Sequence, residues 1–270
     1  DRYLWHKHAR PEQKIPLGNW RAWLIMAGRG FGKTRTGAET IRQWVKEGVY
    51  KRIALIADTE SEGRDVMIEG VSGILDVHPR KERPKFEPSK RRLTWDNGAT
   101  ATLFSAENYE QLRGPQFDCA WIDELAKFRS MMQVWDQLSF GLRLGPHPRM
   151  IITTTPRPTK LLNYLLQHTN DWVHLTRGST FDNAQNLSPQ FIADIKARYG
   201  GSRLGAQELE GKILSHLEGA LWSHDLIERN RIDTLPPMNR IVVAIDPAVT
   251  SHGDSDETGI VVAGISAFGS

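Results

Sequence analysis

The sequence predicts an α/β fold built on a mostly parallel sheet, and three observations support this prediction. Short apolar runs that are typical of buried strands recur along the first part of the 270-residue chain. Segments with a helical spacing of apolar residues separate these runs. A cluster of glycines joins the first apolar run to the first helical segment. Buried strands that alternate with helices indicate helices on both faces of the sheet, as in α/β proteins.

The composition narrows the class of protein. Hydrophobic residues make up 39% of the chain and charged residues 25%, which is typical of a globular protein. The single cysteine, Cys119, excludes an internal disulfide framework and a cysteine-rich zinc site. No apolar run approaches the roughly 20 residues that a membrane-spanning helix needs, so we expect no membrane partner. The net charge of +3 permits a polyanionic partner without requiring one.

The elements of the first part follow from the position of the apolar runs. We expect strands at 21–27, 52–58, 119–124, 150–155 and 172–176. Helical spacing of apolar residues predicts helices at 34–48, 62–76 and 132–143. The dipeptide Asn97-Gly98 lies between two β-rich halves of the segment 93–104, and it predicts a hairpin with a two-residue turn.

After about residue 180 the pattern changes. The segment 189–214 is helical in spacing with a break at Gly200-Gly201, and the proline-rich segment 233–239 is typical of a linker. Two further apolar runs, 239–249 and 257–265, predict a pair of strands. We therefore divide the chain into a core at 1–180, a lid or linker subdomain at 181–237, and the beginning of another domain at 238–270.

The stretch AGRGFGKT, residues 27–34, has the features of a phosphate-binding loop. It follows a predicted strand and opens a predicted helix, although Ala27 replaces the usual first glycine. The glycines let the backbone approach phosphate, and the helix N-terminus supplies positive potential. We expect Lys33 to reach the β- and γ-phosphates and Thr34 to bind Mg²⁺. The predicted nucleotide contacts within the loop are Gly28, Arg29, Gly30, Phe31, Gly32, Lys33 and Thr34.

Two adjacent carboxylates, Asp123 and Glu124, end the third predicted strand. Such a pair is costly to bury at the end of an apolar strand unless it serves a cation. We expect Asp123 to hold Mg²⁺ through water and Glu124 to activate the attacking water. An activated water favours hydrolysis over phosphoryl transfer to a metabolite.

Four stretches together resemble the large terminase subunit of tailed bacteriophages and related prophages: GRGFGKTRTGAE, QLRGPQFDCAWIDELAKF, MIITTTPRP and IDPAV. They follow the order of the family, and the resemblance runs over most of residues 10–265. It implies a RecA-like P-loop ATPase of the additional-strand catalytic glutamate type, followed by the truncated start of an RNase H-like nuclease domain. It also implies an ATP-hydrolysing motor that moves double-stranded DNA into a procapsid, and a full-length protein that also cuts the DNA.

The resemblance implies roles for single residues. Arg29 matches the arginine that the family carries inside its phosphate loop, where a guanidinium can bind the γ-phosphate. Arg113 matches the arginine finger that is offered to the ATP of a neighbouring subunit. Gln13 stands where the family has its adenine-contacting glutamine. The motif that couples loss of the γ-phosphate to movement corresponds to Thr153, Thr154 and Thr155.

The resemblance extends to the start of the nuclease. Asp246 matches the first carboxylate that binds the divalent metal of this domain. A two-metal nuclease needs at least two more acids on other elements. The nearby acids Asp254, Asp256 and Glu257 have the sequence pattern of a turn before the next strand. We therefore expect an incomplete nuclease site in this chain.

From the resemblance we expect ATP and Mg²⁺ as ligands. The expected partners are double-stranded DNA, the portal protein, the small terminase subunit and further copies of the chain in a ring on the procapsid. The expected location is the host cytoplasm. Residues 78–92, with seven Lys/Arg and two Glu, are a candidate DNA-facing loop, although a charge run is more often a solvated loop. The segment 155–160 is a second candidate.

Three alternatives remain open from the residues alone. A helicase-like translocase would need a second RecA-like domain. A P-loop kinase of a small metabolite would lack Glu124 beside Asp123. A non-catalytic nucleotide-binding module would not need Lys33, Asp123 and Glu124 together.

Overall fold

The structure is a computed structural model that describes residues 2–213, 224–232, 234–247 and 258–267. The chain divides into two compact units, Asp1–Ser215 and His216–Ser270. The expected division into three parts, with boundaries at 180 and 237, stays a prediction beside this two-unit division. Over the described ranges, no helix is long and apolar enough to cross a bilayer.

The first unit contains one eight-stranded sheet and eight α-helices within its described residues. The strands are β1 Ala22–Ala27, β2 Arg52–Ala57, β3 Lys85–Glu87, β4 Arg92–Thr94, β5 Thr100–Ser105, β6 Cys119–Asp123, β7 Arg149–Thr154 and β8 Val173–Gly178. The α-helices are α1 Trp5–His8, α2 Lys33–Lys46, α3 Glu60–Glu62, α4 Ile74–Val77, α5 Met131–Gly141, α6 Lys160–Gln167, α7 Pro189–Tyr199 and α8 Arg203–Glu208. Short 3₁₀ helices occur at Pro11–Gln13, Pro88–Lys90, Ala106–Leu112, Leu125–Lys127 and Thr180–Asn186.

The strand order of the sheet is β3-β4-β5-β2-β6-β7-β1-β8. The six strands from β5 to β8 in this order are parallel, and β3 and β4 continue the sheet in antiparallel pairing. Strand β7 lies between β1 and β6, which is the additional strand that the predicted fold class requires. Parallel strands bring their carboxyl ends to one edge of the sheet. The glycine loop after β1 and the acidic pair after β6 therefore lie at the same edge.

Two apolar layers cover the faces of the sheet. Alternate residues of β1 face opposite layers: Trp23 packs in the layer that contains α2, and Leu24 packs in the layer that contains α5 and α6. Helix α2 comes very close to β6, because a Cβ on Gly37 would lie 2.3 Å from the ring of Trp121. Only glycine permits this approach, and the approach holds the start of α2 beside the end of β6.

The five predicted strands of the parallel sheet are observed, and three local predictions are corrected. The helix predicted at 62–76 is wrong: a π-helix, Gly63–Ile68, is followed by a turn and by the short α4. A Cβ on Gly70 would lie 2.7 Å from the carbonyl oxygen of Asp65, so the chain turns tightly there. The predicted hairpin is present as β4 and β5, but Trp95 N–H donates to the Ala99 oxygen at 3.0 Å, which makes a three-residue loop.

The third correction concerns the basic segment 78–92. It contains β3, the 3₁₀ helix Pro88–Lys90 and the first residue of β4, so that only residues 78–84 form a loop. Lys90 Nζ lies 2.8 Å and Arg92 Nη2 3.8 Å from the Glu87 carboxylate, so the segment neutralises part of its own charge. Short strands with few apolar residues give little periodic signal, which is why β3 is missed in the sequence.

The second unit contains α9, His224–Arg229, and an antiparallel pair of strands, β9 Met238–Asp246 and β10 Gly259–Ser266. This pair agrees with the two strands expected there. Asp246 ends β9 opposite Gly259. The acids Asp254, Asp256 and Glu257 lie outside the described residues, and the RNase H-like identity of this unit stays a prediction.

His78 gives the first unit a pH-dependent stability. Its Nδ1 lies 2.6 Å from the Ile74 carbonyl oxygen, and its Nε2 accepts the indole N–H of Trp95 at 3.0 Å. Burial lowers the pKa of His78 to about 4. Protonation of Nε2 would place its N–H opposite the indole N–H of Trp95, so the hydrogen bond between them would be lost. The unfolded chain takes up this proton near pH 6.5 while the folded chain does not, so stability is lost as the pH falls from about 6.5 towards 4.

We predict that urea unfolding shows this loss, at most about 1.4 kcal/mol per pH unit from this group. The matched variant His78→Gln cannot titrate at this position, so its stability should fall less between pH 7 and pH 5 than that of the parent chain. An equal fall in both proteins would contradict the assignment.

Candidate nucleotide-binding site

The predicted phosphate loop, acidic pair and threonines lie at the edge of the sheet where β1, β6 and β7 end. Register pairs Asp123 with Thr153, and Thr153 with Ile25 of β1. A cleft of about 970 Å³ opens at this edge. Its walls include Gly32, Lys33, Thr34, Asp123, Glu124 and Thr155.

The loop between β1 and α2 depends on its glycines. Gly30 has φ +76° and Gly32 has φ +99°, conformations that other residues adopt at a cost. Gly28 is required for another reason, because a Cβ there would lie 2.2 Å from the carbonyl oxygen of Leu209. The hydroxyl of Thr180 donates to the Arg29 oxygen at 2.6 Å, so the loop is held from outside by the segment after β8. The loop thus has the tight, supported turn that phosphate binding requires.

Lys33 is buried and its ammonium group contacts both sides of the cleft. Nζ donates to the Ala27 carbonyl oxygen at 3.0 Å and to the hydroxyl of Thr155 at 3.0 Å. It also lies 3.3 Å from Oε1 of Glu124. The loop lysine and the carboxylate predicted to activate water are therefore direct neighbours.

Asp123 is a buried carboxylate with two hydroxyl neighbours. Thr153 donates to its Oδ1, and the Thr34 hydroxyl lies 3.4 Å from its Oδ2. Burial raises the pKa of Asp123 to about 6, and the neighbouring Glu124 charge adds to this rise. A cation would remove the cost of ionising this group. Asp123 and Thr34 are hard oxygen ligands of the kind that suits Mg²⁺ with water and phosphate oxygens. In the described part of the chain, no group of three or more His, Cys, Asp or Glu is arranged to hold a metal.

Glu124 has a left-handed backbone, with φ +53° and ψ +46°. This conformation is uncommon for a residue that is not glycine, and such strain is found most often at functional sites. It ends β6 one residue before the predicted end and turns the chain into the 3₁₀ helix Leu125–Lys127. The carboxylate accepts the backbone N–H of Thr155 at 3.0 Å. The turn and this hydrogen bond hold the carboxylate at the wall of the cleft.

The three threonines predicted to couple hydrolysis to movement make different contacts. Thr153 accepts the indole N–H of Trp121 at 3.1 Å and donates to Asp123. Thr154 accepts the backbone N–H of Ala126 at 3.1 Å, in the 3₁₀ helix after Glu124. Thr155 contacts Lys33 and Glu124 as described above. This strand end therefore contacts Lys33, Asp123 and Glu124, while its coupling role stays a prediction.

Arg29 lies at the rim of the cleft with an exposed guanidinium. Its Nε lies 2.7 Å from Oε2 of Glu208, and its backbone N–H donates to the Glu208 oxygen at 2.7 Å. Glu208 at the end of α8 is a site residue that the sequence analysis missed, since 179 residues separate it from Arg29. Nothing local in the sequence marks it.

Gln13, Phe31 and Arg113 are among the predicted site residues that do not line the cleft. Gln13 is buried beneath the loop, where its amide donates to the hydroxyl of Thr36 at 3.1 Å. The Phe31 ring is buried and packs against Gly178. Arg113 is exposed beside a separate groove that Phe140 also lines. Their roles as adenine contact, loop residue and finger in trans stay predictions.

Fold and site together define the class of protein. A glycine loop between a buried strand and a helix, a buried lysine beside an acidic strand end, and one additional strand between them are the architecture of a P-loop NTPase. This is the fold class expected from the sequence.

Comparison with known families identifies the chain more closely. The family described as "Terminase large subunit, T4likevirus-type, N-terminal" matches residues 24–229, which is more than half of the chain. The chain therefore belongs to the terminase large subunit family. The match confirms the expected function, that of the ATPase motor part of a viral terminase. It does not favour a helicase-like translocase or a metabolite kinase. Among curated proteins no match is found.

Solved terminases share the fold at low sequence identity. The ATPase domain of the Thermus phage P74-26 large terminase is 14% identical, with a TM-score of 0.59 over 76% of this chain and 94% of that domain. An ADP-bound large terminase from a thermophilic bacteriophage is 16% identical, with a TM-score of 0.62 over 98% of this chain. The large terminase of bacteriophage HK97 is 15% identical, with a TM-score of 0.56 over 93% of this chain. The chain spans 64% of the ADP-bound protein and 57% of the HK97 protein.

We predict that Thr153→Val destabilises the fold by about 1–3 kcal/mol at pH 8, because Asp123 and the indole of Trp121 then lose buried hydrogen-bond partners. Urea unfolding measures this difference. Thr153→Ser keeps the hydroxyl and should retain most of the stability. If the valine variant were as stable as the parent chain, the buried contact of Thr153 with Asp123 would be contradicted.

Proposed function

We propose that this chain binds ATP in the cleft, hydrolyses it with Glu124, and uses the change to pull double-stranded DNA. One observation carries the proposal: Lys33 and Glu124 lie 3.3 Å apart at the strand end where Asp123 is buried. A phosphate group held by the loop would contact the ammonium group of Lys33. Glu124 would lie close enough to activate a water molecule, and Asp123 close enough to bind a metal ion. Structures of the thermophilic bacteriophage terminase with ADP and with ATP-γ-S, which have the same fold, support nucleotide binding.

The loop and its charges would bind the triphosphate. The backbone N–H groups at the start of α2 and the ammonium of Lys33 would donate to phosphate oxygens. Arg29 would reach the γ-phosphate only after leaving Glu208, because its guanidinium is now paired with that carboxylate. Gln13 would contribute to adenine binding if it left the position beneath the loop.

The hydrolytic step would rest on Glu124. Its carboxylate would take the proton of the attacking water, which is the work of a general base. A Mg²⁺ ion held by Asp123 and Thr34 would neutralise charge on the β- and γ-phosphate oxygens. Arg113 would act on the ATP of a neighbouring copy, since it lies beside a different groove from the cleft of its own subunit.

Coupling would start at Thr155. The side chains of Lys33 and Glu124 both contact this residue, so a phosphate that displaces either contact changes the end of β7. The chain continues from Thr155 through Pro156 towards α6, which Thr159 caps. This connection provides a path from the cleft to the outside of the unit.

The partners and the nuclease belong to the same proposal. We expect duplex DNA, the portal protein, the small terminase subunit and a ring of identical copies as partners in the host cytoplasm. Asp246 would be one ligand of a divalent-metal nuclease site that needs further acids. The segment 78–92 keeps its candidacy for DNA contact through Arg80, Lys81, Arg83 and Lys85.

We predict that Glu124→Gln lowers the rate of ATP hydrolysis at least about 100-fold, because an amide cannot accept the proton of water. Nucleotide affinity should be retained, whereas Lys33→Ala should lose it. The rate of phosphate release measures hydrolysis, and nucleotide titration measures affinity. Glu62→Gln, at the same cleft, is the control variant. In a separate measurement, duplex DNA should stimulate ATP turnover by the parent chain. Hydrolysis by Glu124→Gln at the parental rate would contradict the proposal.

We also predict that mixing Glu124→Ala with Arg113→Ala subunits restores part of the ATPase activity that each variant lacks alone. In a mixed ring, an intact Arg113 of one copy can meet an intact Glu124 of the next. Activity measured across mixing ratios checks this expectation. Absence of any rescue at concentrations where the copies assemble would count against action in trans.

A further inference from the structure

We propose that Arg157 binds the terminal phosphate of the nucleotide within its own subunit and so distinguishes a triphosphate from a diphosphate. The inference rests on the proposed ATPase function of the cleft. Arg157 lines this cleft with Lys33, Glu124 and Thr155. It follows Thr155 by two residues, and Thr155 contacts both Lys33 and Glu124. The guanidinium therefore belongs to the same wall as the groups that would surround the γ-phosphate.

The pairing of charges in the cleft singles out Arg157. Five cationic side chains line the cleft, and four of them have a carboxylate partner: Arg29 with Glu208, Lys33 with Glu124, Arg35 with Glu39, and Lys127 with Glu62. Arg157 has no ion pair and no side-chain hydrogen bond with any residue that the structure describes, and it is exposed. It is thus available to an anion without first leaving a protein partner.

The backbone around Arg157 is restricted on both sides. Pro156 and Pro158 have fixed φ angles, and each also limits the residue before it to extended conformations. The loop is held at one end by the contacts of Thr155. At the other end the hydroxyl of Thr159 accepts the backbone N–H of Leu162 at 3.3 Å and caps α6. The backbone of such a short, restricted loop loses little conformational freedom when the guanidinium binds an anion.

The chemistry of the ligand follows from the side chain. A guanidinium donates two parallel hydrogen bonds to phosphate oxygens and keeps its charge at every accessible pH. The loop and Lys33 would bind the β-phosphate that ATP and ADP share, and Lys33 would also reach the γ-phosphate. Arg157 lies on the wall near Glu124 and would contact the terminal phosphate alone. A DNA backbone phosphate has the same chemistry. Lys160 is on the same segment but does not line the cleft. A variant of Lys160 therefore distinguishes a contact with DNA phosphate from a contact with the nucleotide.

The test uses the full chain and two nucleotides, a non-hydrolysable ATP analogue and ADP, titrated with Mg²⁺ in the absence of DNA. For Arg157→Gln we expect the affinity for the analogue to fall about tenfold or more, the loss expected for a charge-assisted hydrogen-bond pair. The affinity for ADP should stay close to that of the parent chain. Arg157→Lys should keep part of the preference for the triphosphate. Lys160→Gln is the matched control and should change neither affinity.

Each other result overturns the inference. An equal loss of ATP-analogue and ADP affinity would make Arg157 a general support of the loop. Unchanged affinities would exclude a nucleotide contact. Weaker binding to duplex DNA in both Arg157→Gln and Lys160→Gln, with the nucleotide preference intact, would assign Arg157 to DNA. If thermal unfolding shows that Arg157→Gln is not folded, the ratio of ATP-analogue affinity to ADP affinity is measured in Arg157→Lys instead. A ratio equal to that of the parent chain would then contradict the inference. A parent chain that binds neither nucleotide would instead contradict the proposed function itself.

Discussion

The contact between Lys33 and Glu124 is the interaction on which the site depends. The two residues are far apart in the chain: Lys33 begins α2, after β1 and the glycine loop, and Glu124 follows β6, while β7 lies between β1 and β6. They meet because β1, β6 and β7 are parallel and end at one edge. A parallel sheet fixes which ends coincide, and the register of Asp123 with Thr153 fixes how far each end projects. The pairing of the strands therefore determines which side chains meet in the cleft.

Three ion pairs join charged groups that both line the cleft: Arg29 with Glu208, Lys33 with Glu124, and Lys127 with Glu62. Five cations and five carboxylates line the cleft, so their formal charges cancel. A network that is neutral and partly buried tolerates its own charges, because each unpaired group would otherwise bear a desolvation cost. A nucleotide that enters brings a large negative charge and competes with Glu124 and Glu208 for the cations. The end of β7 touches Lys33, Glu124 and Asp123, so it is the part of the sheet that this competition disturbs first.

The sequence predicted the parts of the fold that strong local patterns determine. The apolar runs located β1, β2, β6, β7 and β8, and the glycine loop with its acidic strand end located the cleft. The sequence could not predict the break at Gly70, because apolar spacing continues across it, nor β3, which has only three residues. Glu208 was missed since its contact with Arg29 depends on how α8 packs. The pairing of four cleft cations, which leaves Arg157 apart, is also a property of packing alone.

The close approach of α2 to β6 has a consequence for how natural variants of this chain are interpreted. Gly37 faces the ring of Trp121, the indole of Trp121 holds Thr153, and Thr153 holds Asp123. A methyl group added at Gly37 would displace the ring of Trp121, and through Thr153 it would shift Asp123, with which residue 37 has no direct contact. A variant with every catalytic side chain unchanged could then lose activity because the distance between α2 and β6 had increased.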